Sequence, residues 1–489
     1  MLRIIKSNSA LILVLVLATT LRLVALLKYG DFWNDEMFSF VYSQKPWWDS
    51  ITKYWVWETN PPLYTLLLKL WLYIMPPTEF WIRLMSILPG LLGIAALHRL
   101  AIRLFNKNTA LISALVLAVS PLHILHSSTA RAYSLLVLLT IVSSDYFYRI
   151  YFENKRSMAN YLIYGSLITL LFYSHLTSLA VIGAQFAALI IRDRRQISSW
   201  LIVNILPFII WLFWAVPSLS MKLNSSLVGA WYFKIKTDFS STIQMVQLLF
   251  TGPTHWIYGL IVIVLVVAWL AFILIRQYRE KRLDQALIFV VIMAGVPLLG
   301  ALTLGLTNPR FLMVSVPWTA LLLAFALTSF IKKFSFQMLG LAIFIPGLIG
   351  LWRALPIVNL TPAREFLQAR ASHQNRQIFI YNEFTSKNML ERYLKLNIPM
   401  ISFTEEQITD WDYYYITKNY SRRNFTKEEI GAWSRDNKLD TYDEIFLLQN
   451  NDPGLDIKEA LEYQGWKIRE KKKIKVEEPI VLFYLSKDK

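Results

Sequence analysis

The sequence predicts a polytopic α-helical membrane protein followed by a small α/β domain, and three observations carry that prediction. Uncharged apolar runs close to the ~20 residues that cross a bilayer recur from Ala10 to about Leu351. Basic residues gather on alternate short connections between those runs. After Leu355 the long runs stop, and short strand-like and helix-like segments alternate.

The apolar runs come first. Of the 489 residues 55% are hydrophobic and mean hydropathy is +0.41, which exceeds what an ordinary soluble domain carries. A backbone amide in lipid must bond within its own segment, so the runs are expected to be helices. Eleven spans are expected, at 10–27, 80–98, 109–126, 130–148, 159–174, 176–191, 199–217, 255–275, 286–304, 310–331 and 336–354. Arg3 and Lys6 ahead of the first run resemble a signal peptide, but no small-residue cleavage site follows, so this is read as an uncleaved first span.

Charge sets the orientation. Residues 355–489 balance 21 Lys and Arg against 21 Asp and Glu, so the whole formal excess of +17 lies in the first 354 residues. A basic balance can indicate nucleic acid, but here topology explains it. With the N-terminus inside, every inner connection is basic, including Arg99, Arg103, Arg149, Arg156, Arg192, Arg276 and Lys332. The connections near His126, His175 and Asn308 then lie outside with few bases, and residues 355–489 follow outside as well. The chain has no cysteine, which excludes disulfides, cysteine-ligated zinc and thiol catalysis.

Two domains are expected: 1–354, membrane-spanning, and 355–489, extracytoplasmic. The first external segment, 28–79, contains an apolar helix at Pro62–Met75 that is too short to span and suits the interface. A second long external segment runs over 218–254. In the C-terminal region strands are expected at Gln377–Tyr381, Met400–Phe403, Tyr413–Ile416, Glu444–Gln449 and Ile480–Leu485. Helical patterns fall near Lys387–Leu396, Lys427–Arg435 and Asp456–Tyr463. The region has no glycine-rich phosphate loop, so no nucleotide is assigned to it.

Four constellations carry chemistry, all on the external side. Asp35-Glu36 follows the first span, flanked by Trp33 and Phe38. Partial burial and a like-charged neighbour both make a carboxylate a better base, although two solvated loop acids would look the same in sequence. Asn60-Pro61-Pro62 opens the short apolar helix, a placement that proline in a first helical turn explains by itself. Arg131, in Ala130-Arg131-Ala132-Tyr133, begins the fourth span. An arginine at that depth is costly unless it meets an anion, and its planar fork fits a phosphate; a snorkelling arginine is the alternative. Arg310, in Asn308-Pro309-Arg310-Phe311, begins a later span on the same side. Arg22, in the outer half of the first span, is either a further phosphate ligand or a snorkelling side chain. His123, His126 and His175 lie near the same surface without forming a closed metal-ligand set.

This ordered set resembles glycosyltransferase family 39, the group that includes protein O-mannosyltransferases and aminoarabinose transferases. The likeness rests on an acidic pair after the first span, Pro-Pro-Leu-Tyr, Ala-Arg-x-Tyr and a late Arg-Phe, and covers residues 10 to about 330. It implies the GT-C membrane fold with about 11 transmembrane helices, and a plasma (inner) membrane location. It also implies transfer of a sugar from a polyprenyl-phosphate donor to a protein, lipid or glycan acceptor, with inversion. Asp35 would be the base, with Glu36 orienting the acceptor or sharing that role. Arg131, Arg310 and Tyr133 would hold the donor phosphate, and Asn60, Trp33 and Arg22 would contribute more weakly to substrate binding. A carboxylate pair is also able to recruit a divalent cation, whereas two arginines already supply positive charge. Asn60 stands where the family often has His, and Ser128-Thr129 where it often has Gln-Glu, which bears on the acceptor. The competing class is a polytopic lipid or sugar transporter or flippase. It would explain many spans, but not the one-sided clustering of the ionisable residues or the absence of an inverted repeat.

Overall fold

The computed structural model describes residues 2–54, 60–224, 239–280, 284–306, 308–331, 333–355, 359–370, 375–381, 392–394, 398–402, 427–450, 457–474 and 480–487. The chain divides into two compact units. The first comprises residues 1–27, 39–224 and 231–355; the second comprises 28–38, 225–230 and 356–489. The sequence reading kept 28–79 whole within the membrane domain, whereas the structure divides that segment after Phe38.

The first unit is helical. Each of the eleven expected spans falls on one or more consecutive helices, beginning with α1 (Leu2–Tyr29). Among the described residues six helices are long and apolar enough to cross a membrane, or seven if one bent pair counts as a single span. The remaining apolar helices, such as Met158–Phe172 and Ser178–Arg192, are shorter. Leu13, Ile202, Phe213 and Leu265 are exposed on their helix faces, a placement that water penalises and lipid does not. The interior is apolar and contiguous, running through Leu97, Leu117, Leu136, Phe147, Ile168, Val290 and Leu321.

Three expected boundaries are corrected. The 109–126 span breaks into Lys107–Val119 and Pro121–Ser127, bent by 61°. Pro121 lacks an N–H, and the Ser120 hydroxyl accepts from the His123 N–H, so a new helix starts there. The fourth helix begins at Tyr133, leaving Arg131 on the turn before it. The 310–331 span begins at Val316, because Pro309–Leu312 is a separate 3-10 turn capped by Asn308. In the 218–254 segment the preceding helix runs on to Asn224, and Phe239–Phe250 forms another; Trp231 to Phe233 lie outside the described residues.

Buried polar networks fasten the helices. At one end Arg103 pairs with Asp145 at 2.7 Å and Glu153 at 2.9 Å, and Arg149 also reaches Asp145. Deeper in the bundle the Tyr164 hydroxyl donates to Gln185 at 2.6 Å and accepts from the Trp200 indole at 3.0 Å. Between helices in lipid such pairs fix register. Gly347 and Gly350 pack against the 251–253 loop, where an added Cβ would lie 1.6 Å from the Thr251 carbonyl oxygen and 1.7 Å from that of Pro253. Only glycine allows that approach.

The second unit contains a five-stranded sheet of order β2-β1-β3-β5-β4. Its strands are β1 (Gln377–Tyr381), β2 (Met400–Ser402), β3 (Glu444–Asn450), β4 (Lys467–Ile474) and β5 (Ile480–Ser486). β1 runs parallel to β2 and β3, while β5 is antiparallel to β3 and β4. Ile378, Ile380, Ile445, Leu447, Leu461, Trp466 and Leu485 form its core. The expected strand at Tyr413–Ile416 and most of the expected helix at Lys387–Leu396 lie outside the described residues. Lys427–Asp436 and Ile457–Tyr463 are helices, and β4 was not anticipated.

Candidate active site

Within the first unit Arg131 stands on the turn joining Pro121–Ser127 to Tyr133–Tyr151, and that turn is pinned from several directions. Ser86, on the Glu79–Leu104 helix, donates to the Arg131 carbonyl at 3.2 Å. A hydroxyl carries one proton, so the 2.7 Å contact between Tyr64 and Ser86 has Tyr64 as donor. Ser134 donates to the Ser86 carbonyl at 2.6 Å, and Ser128 to the Arg22 carbonyl at 3.3 Å. The guanidinium reaches the Ser39 hydroxyl at 3.1 Å. Arg131 is only 8% exposed, so its side chain is enclosed by protein.

The rings beside it form a continuous row. His126 and Tyr133 lie 4.7 Å apart, Tyr133 and His175 5.3 Å, and His175 and Phe311 6.5 Å. The Arg310 guanidinium sits 5.5 Å from the Phe311 ring, and the Asn308 side chain accepts from the Arg310 N–H. Tyr133 and the Arg310–Phe311 pair thus flank His175, and Arg131 lies two residues before Tyr133. Burial, followed by the charges of Arg131 and Arg310 and the ring of His126, lowers the His175 pKa to about 3. Its Nδ1 accepts from the Thr177 N–H at 3.2 Å, so the neutral ring carries its proton on Nε2. Two guanidinium groups act on one neutral imidazole, on turns that lead into the helices starting at Tyr133, Ser178 and Val316. Helix N-termini favour anions, so charge and dipole act in the same direction.

Arg22 is placed differently. It is fully buried, and it donates to the Ala18 carbonyl at 2.9 Å, to the Ala118 carbonyl at 3.1 Å and to His123 Nδ1 at 2.6 Å. It fastens α1 to the broken helix; a snorkelling side chain would be exposed. Asn60 is half-buried ahead of the Leu63–Trp71 helix, and the Leu63 N–H bonds the Tyr173 carbonyl at 3.0 Å.

Two buried cations were missed from sequence. Arg83 is 1% exposed and lies one turn before Ser86. Lys69, on the Leu63–Trp71 helix, bonds the carbonyls of Ser43 and Lys45 and lies 5.1 Å from the Trp47 ring. The signal for Arg83 was present, as a charge inside an apolar run at the same end as Arg131.

The acidic pair belongs to the second unit. Gly30, at φ +68°, turns the chain out of α1, and α2 (Asn34–Gln44) follows. The Glu36 side chain accepts from the Trp33 N–H at 3.4 Å, three residues back, and is fully buried. That is the reciprocal half of a capping box. Asp35 is half-buried in the same first turn, and Trp33 is half-buried as well. α2 continues into the first unit, where Ser39 stands four residues after Asp35 on the same helix. Among the described residues no three His, Cys, Asp or Glu side chains are grouped to hold a metal ion.

Comparisons with known proteins fit this architecture. The family model for dolichyl-phosphate-mannose-protein mannosyltransferase matches residues 59–220, the stretch from Asn60 through Arg131 and Tyr133. No curated protein sequence matches the chain. Among solved structures, ArnT from Cupriavidus metallidurans bound to undecaprenyl phosphate superposes with a TM-score of 0.62 at 12% identity, covering 97% of this chain and 98% of that one. The Archaeoglobus fulgidus oligosaccharyltransferase in the apo form gives 0.55 at 12% identity, covering 90% and 69%. Archaeal AglB with an inhibitory peptide and a dolichol-phosphate gives 0.52 at 13% identity, covering 91% and 70%. The fold is the multi-pass GT-C membrane fold with a C-terminal α/β domain.

Proposed function

We propose that this chain is a membrane glycosyltransferase that moves a sugar from a polyprenyl-phosphate carrier to a hydroxyl or amine acceptor at the extracytoplasmic face of the plasma membrane. The observation that carries the reading is the row of rings Tyr133, His175 and Phe311, with the buried Arg131 two residues before Tyr133 at one end and Arg310 over Phe311 at the other. It provides fixed positive charge for a lipid-linked phosphate. The undecaprenyl phosphate bound to ArnT and the dolichol-phosphate bound to AglB are consistent with that ligand class.

In this mechanism Arg131 and Arg310 bind the donor phosphate and stabilise the charge that grows on it as the anomeric C–O bond breaks. The departing polyprenyl phosphate takes the bonding electron pair. Tyr133 helps to hold the phosphate beside them. The acceptor oxygen or nitrogen attacks the anomeric carbon from the opposite side, inverting it, and Asp35 takes the acceptor proton. Glu36, occupied in capping α2, shapes the turn that presents Asp35. Trp33 and Asn60 contact sugar or acceptor, and Arg22 supports the spans. The basic inner loops place the N-terminus in the cytoplasm and residues 355–489 outside.

The test is incubation of purified protein in nanodiscs with a panel of radiolabelled polyprenyl-phosphate sugars and membrane extract. Label should pass from one donor to a protein, lipid or glycan product. No transfer from any donor by a protein that binds undecaprenyl phosphate would sink the reading.

A further inference from the structure

We propose that the C-terminal domain holds the acidic pair in position, with Tyr393 and Asp31 as positioning residues for Asp35. Both ends of the tether lie within the second unit. The Tyr393 hydroxyl accepts from the Phe32 N–H at 2.8 Å. One residue earlier, the Asp31 carboxylate accepts from the Leu360 N–H at 2.8 Å, just ahead of the Thr361–Gln368 helix. The Phe32 ring is fully buried, and the Arg392 guanidinium lies 5.1 Å from it.

These contacts act on the hinge between α1 and α2. Gly30 supplies the turn, and residues 31–33 are the only connection left before α2 begins. Two consecutive amides in that connection are taken in opposite ways. The Phe32 N–H goes to Tyr393, from a part of the chain 361 residues away, and the Trp33 N–H goes to Glu36 inside the same turn. A helix is stiff over one turn, so fixing residues 31–33 fixes the direction in which the first turn of α2 presents Asp35. Misplacing a reacting group by about 1 Å can cost as much as ~100-fold in rate, so this clasp bears on catalysis without touching substrate. The domain then works as a clamp on the catalytic segment, whatever else it binds. The catalytic consequence rests on Asp35 being the base; the tether itself does not.

The experiment combines hydrogen exchange with turnover on the full-length protein in nanodiscs. Tyr393→Phe removes the acceptor for the Phe32 N–H, and Asp31→Ala removes the acceptor for Leu360. Asp31→Asn keeps an acceptor oxygen. Exchange in peptides covering 28–38 is expected to quicken about tenfold in the first two variants and to stay near wild type in Asp31→Asn. Turnover, followed with the labelled polyprenyl-phosphate sugar that the panel selects, is expected to fall about tenfold with donor KM unchanged. Tyr393→Phe should have no further effect in an Asp35→Asn background, where nothing is left to position. Unchanged exchange in Tyr393→Phe and Asp31→Ala overturns the tether. Should Tyr393→Phe fail to fold, equal exchange in Asp31→Ala and Asp31→Asn overturns it instead. Faster exchange with turnover within twofold of wild type, while Asp35→Asn is inactive, overturns the positioning role and leaves Asp35 as base. An active Asp35→Asn variant removes the base assignment, and exchange alone then decides the tether.

Discussion

Replacing Arg131 by alanine is expected to weaken donor-phosphate binding without unfolding the bundle. The turn carrying Arg131 is held through its backbone carbonyl by Ser86, and Ser86 is held by Tyr64, so truncating the side chain leaves those bonds in place. Truncation removes the side-chain bond to the Ser39 hydroxyl. A charge-assisted fork onto phosphate contributes about 1.5–3 kcal/mol. At ~1.4 kcal/mol per decade this is about a 10- to 140-fold rise in Kd. Binding should not vanish, because Arg310 still faces the same ring. Arg131→Lys keeps the charge but loses the fork and should fall between the two. The assay is equilibrium binding of fluorescent undecaprenyl phosphate in zwitterionic nanodiscs, where headgroup competition is small, alongside thermal melting. An Arg131→Ala protein that melts like wild type and binds within twofold of wild type would refute the phosphate role.

The remaining predictions concern the carboxylates, a titration and the packing glycines. Asp35→Asn should cut turnover by about 10²- to 10⁴-fold at unchanged melting temperature, whereas Glu36→Gln, which keeps a cap acceptor, should retain most activity. Glu36→Ala leaves the Trp33 N–H without its cap and should cost about 1–2 kcal/mol of stability, seen as a lower melting temperature. His175 is held neutral with its pKa lowered to about 3. Its contribution is therefore complete above the unfolded value near 6.5 and is lost as pH falls towards 3. Melting temperature should drop between pH 7 and pH 4, and His175→Gln should flatten that slope. Gly347→Ala must push its Cβ against the Thr251 carbonyl and should destabilise by about 1–3 kcal/mol. Gly295→Ala, in the Gln285–Thr303 helix with open space around it, should stabilise by about 0.4–1 kcal/mol. Melting curves of the two variants side by side would check both.

Properties that depend on local composition were legible in the sequence. The expected spans coincide with helices because hydropathy averages over a helix length, and β1 matches its expected bounds because Gln377–Tyr381 is a short apolar run between polar flanks. β4 was hidden because Lys467, Arg469, Lys471, Lys472 and Lys473 leave no period-two pattern; it is an edge strand, where charge is tolerated. Arg83 vanished into the same averaging that found its helix. Glu36 was given a role at the acceptor because Asn34 and Asp35, both common cap residues, stand at the start of α2 and draw the cap away from Trp33. The residue before that helix is Trp33, so the cap is visible only in three dimensions. The turn at Arg131 and the 3-10 turn at Arg310 were folded into their neighbouring spans, since hydropathy does not see a helix start. The clasp of Tyr393 on Phe32 joins residues 361 apart, beyond any local pattern.

The identity of the neighbours around the arginines is itself an argument about charge. Arg22 is oriented by His123 Nδ1 at 2.6 Å, and Arg131 and Arg310 both act on the buried ring of His175. A neutral imidazole near a guanidinium leaves its charge uncancelled. A carboxylate in the same place would pair with it and repel an incoming phosphate. On this reasoning His175→Glu should do more harm than removal of the ring. The introduced carboxylate would lie beside Arg131 and Arg310 and compete for the bonds the phosphate needs, so Kd for undecaprenyl phosphate should rise at least about tenfold. His175→Gln, polar and uncharged, should stay within about threefold of wild type. Raising the salt concentration should leave the difference largely intact, because Arg131 and His175 are buried. Equal affinity in the glutamate and glutamine variants, both folded, would mean that the two guanidinium groups do not bind the donor phosphate.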